Sequence, residues 1–107
     1  MEWKEKRKEE IDKLFDLIEN KFSLKKEALL AKGRKSDLIM ARKFFMNILF
    51  ERFKMDKMTH TDISQLIKRD RTSFIHHRTK HLNEYQNYKT YKENYENFKR
   101  DFLFILK

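Results

Sequence analysis

Arg69, Asp70, Arg71, Thr72 and Ser73 are five consecutive polar side chains, four of them hydrogen-bond donors. Arginine can bond guanine O6 and N7 together, while threonine and serine suit phosphate oxygens and thymine methyl groups. That chemistry needs the segment to open a helix whose far side is held by a core. Ten residues earlier, Thr59-His60-Thr61-Asp62 has the form of a capping box and announces a shorter helix. A second basic group, Lys32, Arg34 and Lys35 around Gly33, suits a phosphate backbone or a narrow minor groove.

Other chemistries find less support. His77 and His81 stand four apart, as two ligands on one helical face would, but no glutamate completes the pattern and the neighbours are cations, so no metal is expected. The four histidines, His60, His76, His77 and His81, read instead as surface donors to phosphate or as partly buried spacers. Asp37, Asp62 and Asp70 sit at separate capping positions and do not form a carboxylate set, so neither an enzyme nor a cofactor is expected.

The elements that must position these groups are helices. One glycine and no proline in 107 residues leave sheets without their turns and phosphate-cradling loops without their glycines. The absence of cysteine excludes a disulfide framework. Hydrophobic residues make up 39% and aromatic residues 14%, too many for a disordered tail despite 40% charge. Residues 23–50 carry seven Lys/Arg against two Asp/Glu and residues 51–83 eight against four, so the middle holds the whole net charge of +9. Such a balance points to nucleic acid or an anionic surface. No apolar run is long enough to span a bilayer and Met-Glu-Trp-Lys-Glu-Lys is no signal peptide, so a cytoplasmic, nucleoid-associated protein without membrane contact is expected.

Periodicity supplies the order of helices. Ile11, Leu14, Phe15, Ile18 and Phe22 mark the first. Ser23 is the expected N-cap of a short second helix through Leu30, ended by Gly33. Ser36-Asp37 is the expected cap of the third and most apolar, running to Phe53, and Lys54 to Met58 reads as a polar link. A short helix with Ile63, Leu66 and Ile67 inward then precedes the turn Lys68-Arg69-Asp70. The longer helix after it has Phe74, Ile75, Arg78 and Leu82 as its expected core face. Short helix, tight turn and longer polar-faced helix is the layout of a helix-turn-helix, here about 59–83. Tyr88, Tyr91, Tyr95, Phe98, Phe102 and Ile105 form a heptad seam on a last helix of about 84–107, better suited to packing than to stacking bases. The chain reads as one all-α domain over 1–107, with about six helices.

From Lys68 to His77 the chain resembles the C-terminal DNA-binding domain of the replication initiator DnaA, whose signature runs Gly-Gly-Arg-Asp-His-Thr-Thr-Val-Leu-His-Ala. The likeness extends over roughly Ile11 to Phe102: a short helix at Leu24 to Leu30, a basic loop at Lys32 to Ser36, a long helix at Asp37 to Phe53 and another at Thr59 to Ile67. It implies a Trp-repressor-like helical fold and recognition of a short duplex box in replication or transcription control. By position it also implies that Arg69, Asp70, Thr72 and Ser73 meet bases and phosphates in the major groove, Arg34 enters the minor groove and Arg42 touches DNA. Thr59, His60 and Thr61 would meet phosphate. Arg71 replaces the signature histidine and Ile67-Lys68 replace the glycine pair. No G-x-x-x-x-G-K-[ST] occurs, so ATP hydrolysis is not expected. The alternative is a module that docks a partner, or a second copy of itself, through the aromatic last helix.

Overall fold

The computed structural model describes residues 3–33, 35–56 and 58–107. It is all-helical, with no strand among the described residues: α1 (Trp3–Phe22), α2 (Lys26–Leu30), α3 (Ser36–Phe53), a 3-10 turn (Lys54–Asp56), α4 (His60–Gln65), α5 (Arg71–Asn87) and α6 (Lys89–Ile105).

The apolar spacing of α1 buries Ile11, Leu14, Phe15, Leu17 and Ile18, and its outer face carries i,i+4 pairs such as Lys8–Asp12. Helix α3 is different in kind. Every residue from Ala41 to Leu49 is buried, because α1, α2, α4 and α5 all pack against it. Phe44 lies at the heart of this core, with the rings of Phe22, Tyr91, Tyr95 and Phe98 within 5.2–5.7 Å of it. Each ring so buried contributes about 1.5–3 kcal/mol before the edge-to-face gain.

The seam of α6 supplies three of those rings. Tyr91, Tyr95, Phe98 and Phe102 are buried, whereas Tyr88 and Ile105 at its two ends are exposed. Helix α5 continues through Glu84 and Tyr85 to Asn87, so the boundary expected near residue 84 falls at Tyr88. No helix breaker intervenes, and Glu84 is held by an ion pair to Lys43.

Three expected caps are replaced by other devices. Ser23 ends α1 in the left-handed conformation (φ 58°) instead of opening α2, and its N–H reaches Glu19 O at 2.9 Å. Lys25 and Lys35 hold the N-cap positions of α2 and α3 without side-chain bonds, so Ser36 already lies inside its helix. Gly33 does not have positive φ, and α2 has ended by Ala31. A Cβ at Gly33 would come within 2.9 Å of Leu38 Cδ1, so close approach, not handedness, favours glycine there.

Candidate nucleic-acid interface

The helix-turn-helix is built from α4, residues 66–70 and α5. Thr59 Oγ1 accepts from the Asp62 N–H and Asp62 Oδ2 from the Thr59 N–H, both at 3.1 Å, which completes the capping box. Helix α4 then closes with Lys68 N–H on Gln65 O (3.1 Å) and Arg69 N–H on Ser64 O (2.8 Å). This 5→2 and 6→1 pair requires a left-handed residue, and Lys68 provides it at φ 54°. The turn therefore forms without glycine. Asp70 opens α5 as N-cap, its Oδ1 accepting from the Ser73 N–H at 2.9 Å.

Phe74, His77 and His81 form the buried face of α5, with half-buried Arg78 and Tyr85 beside them. The expected inward residues Ile75 and Leu82 are 41% and 49% exposed. Hydrophobic ranking placed them inside, but the three-and-four spacing runs through the histidines. Thr72, Ile75, His76 and Thr79 consequently share an exposed stripe, with Arg71 at its start and Lys80 beside it. Ile75, Thr79 and Lys80 were not among the expected site residues; the spacing of Phe74, His77 and His81 was the signal for them.

Several expected contact residues turn inward. Arg42 is only 4% exposed, and its guanidinium bonds the carbonyls of Ala28, Leu29, Ala31 and Gly33 at 2.6–3.3 Å. It ties the end of α2 to α3 and is not a surface group. Arg69 reaches Ala31 O at 2.6 Å and Leu30 O at 3.3 Å, joining the same carbonyl cluster to the turn. Burial lowers the pKa of Arg42, and neighbouring Arg69 adds to the effect. His60 stacks on Phe74 with centroids 4.5 Å apart and rings inclined by 21°, so it packs the α4–α5 edge.

His77 is likewise buried, and its Nδ1 has no hydrogen-bond partner. Burial, with His76, Arg42, Lys43 and Arg69 nearby, lowers its pKa to about 4. Of the two readings of this histidine, surface donor to phosphate or partly buried spacer, its enclosure fits the second. Thr61, Arg71, Thr72, His76 and Lys35 remain exposed and Ser73 half-exposed. Arg34 lies outside the described residues.

Behind the interface a polar network ties α5 to α3 and α6. Arg78 donates to Asn47 Oδ1 at 2.7 Å, Tyr95 donates to Glu51 at 2.8 Å and Lys43 pairs with Glu84 while lying over the Tyr91 ring. These bonds fix the angle at which α5 leaves the core. Among the described residues no group of three or more His, Asp or Glu side chains could hold a metal, and no helix is long and apolar enough to cross a membrane. Comparison of the chain with protein-family models, with curated proteins and with solved structures finds no match.

Proposed function

We propose that this chain binds double-stranded DNA with a sequence preference, laying the N-terminal half of α5 in the major groove. The observation that carries the reading is the stripe Arg71, Thr72, Ile75, His76 and Thr79, exposed on a helix whose opposite face is locked into the core. A helix about 10–12 Å across matches a groove about 12 Å wide. Arg71 offers bidentate bonds to guanine and Ile75 an apolar surface to thymine methyls, while Lys35, Lys68 and Thr61 supply backbone contacts. The resemblance of residues 68–77 to the initiator signature favours the same arrangement and a role at duplex boxes in replication or transcription control.

Fluorescence anisotropy with labelled duplexes over a salt series tests the reading. With about six phosphate contacts, affinity falls roughly as the fifth to sixth power of salt concentration. Affinity independent of salt, or equal affinity for every sequence selected from a random pool, refutes it.

A second reading draws on the end of α6, where Leu103, Phe104 and Ile105 are 38%, 66% and 45% exposed. Residues of this kind suit docking of a partner or a second copy. Gel filtration of Phe104→Ser against the parent chain tests it, since a docking residue alters assembly and leaves the fold intact.

A further inference from the structure

Lys32 and Gly33 face the turn of the helix-turn-helix across a cleft of about 810 Å³, with Arg42, Lys68, Arg69 and Asp70 among its lining residues. Four cations therefore meet one carboxylate. Arg42 and Arg69 each donate Nη2 to the same oxygen, Ala31 O, at 2.6 Å. Neither arginine has a carboxylate partner among the described residues. Carbonyl dipoles solvate these guanidiniums without neutralising them. Asp70 makes no ion pair with either among the described residues; its Oδ1 accepts from the Ser73 N–H at the start of α5.

Unused donors point to what the cleft lacks. Among the described residues Arg69 bonds only through its two Nη atoms, which leaves Nε–H over, and the Ser73 hydroxyl makes no bond. His77 lines the same cleft, nine-tenths buried and with Nδ1 unpartnered. Lys32 and Lys68 stand exposed at the rim, with no ion pair among the described residues. A compact dianion with several acceptor oxygens answers all of these at once, as a carboxylate with one charge and two oxygens does not.

We propose that this cleft is a phosphate-binding pocket, filled either by a free phosphate monoester or by a phosphate of a nucleic-acid backbone. The backbone source rests on the DNA-binding reading; the free source does not. Phosphate in the cleft lies beside His77, whose neighbours are Arg42 and Lys43 from α3, Arg69 from the turn and, on its own helix, His76. A dianion offsets that positive surrounding, so occupancy moves the imidazole pKa upward from about 4.

The test is an NMR titration of the full chain with inorganic phosphate, ionic strength being held constant with sodium chloride. Saturable shifts confined to Gly33, Lys68 to Ser73 and His77, with a raised His77 titration midpoint, are the expected result. Sulfate, a dianion throughout the pH range used, reproduces that midpoint shift. Lys32→Gln with Lys68→Gln, both at exposed positions, weakens phosphate binding about fivefold or more without altering the remaining spectrum. Shifts that grow linearly and match those of chloride alone overturn the proposal. Given saturable binding, the source follows from added duplex: displacement of phosphate assigns the pocket to the backbone, and duplex binding without displacement assigns it to a free monoester. Saturable phosphate binding with no duplex binding at any salt keeps the pocket and sinks the DNA-binding reading alone.

Discussion

The Nδ1 atom of His81 and the hydroxyl of Tyr91 lie 2.7 Å apart where α6 folds back along α5. Burial, with Arg78 and Lys43 nearby outweighing Glu51 and Glu84, lowers the His81 pKa to about 4, the value also reached at His77. Both rings are neutral in the folded protein at neutral pH.

Acid should therefore unfold this domain through its histidines. An unfolded imidazole titrates near 6.5, so between about pH 6.5 and 4 the unfolded chain binds more protons than the folded one. Stability is complete above pH 6.5 and declines as pH falls toward 4, by up to roughly 3 kcal/mol for each ring. Urea unfolding at pH 7.5, 5.5 and 4.5 measures the slope. Comparing the parent chain with His81→Gln separates the ring from Glu51 and Glu84, and an identical slope in that variant would show that His81 does not supply it.

Arg42→Ala should destabilise the fold by about 3–5 kcal/mol, because it strands carbonyls at the end of α2 that a charged donor now satisfies. Thermal unfolding would then drop by more than about 10 °C. Arg42→Lys recovers little, since one ammonium cannot span the four carbonyls. A variant that melts with the parent would return Arg42 to the role of a surface contact.

The backbone of the two loops gives a paired prediction. Lys68 is left-handed and Gly33 is not. Lys68→Gly should stabilise by about 0.5–1 kcal/mol, relieving the Cβ strain, and Gly33→Ala should cost less than about 1 kcal/mol, because the Leu38 methyl it meets is the end of a flexible side chain. Denaturant midpoints decide both, and a loss above about 2 kcal/mol in Gly33→Ala would contradict the conformation described for that loop.

On the interface, Arg71→Ala should cost about 1–3 kcal/mol on the preferred duplex and relax its sequence preference, whereas Lys35→Ala should weaken all duplexes alike and lower the salt slope by about one. Binding-site selection with each variant reads the difference. An unchanged preference in Arg71→Ala would place the reading helix elsewhere.

Local pattern made the helix-turn-helix and the α6 seam legible: the Thr59–Asp62 box, the Asp70 cap and the spacing of Tyr91, Tyr95, Phe98 and Phe102 all act within a turn or two of helix. Arg42 and Lys43 were not legible as interior groups, and for His77 and His81 a partly buried place was only one of two readings. Their polarity places them outside on any hydrophobic ranking, and what holds two of them inside is distant in sequence: Arg42 bonds Leu29 O thirteen residues away and Lys43 pairs with Glu84 forty-one away. The same error exposed Ile75 and Leu82, since burying His77 and His81 rotates them outward. The excess of positive charge in the middle of the chain is in part an interior property, which the count alone could not reveal.

Tyr88 alone separates α5 from α6, serving as C-cap of the first and N-cap of the second. A joint of one residue has no slack. Helices turn about 100° per residue, so an added residue at this corner would swing the Tyr91–Phe102 seam out of phase with the core. The corner is braced from inside by the His81–Tyr91 contact, so the placement of α6 and that of α5 are set together. An inserted residue is better absorbed in the segments joining α1 to α2, α2 to α3 and α3 to α4, each of which has more than one residue.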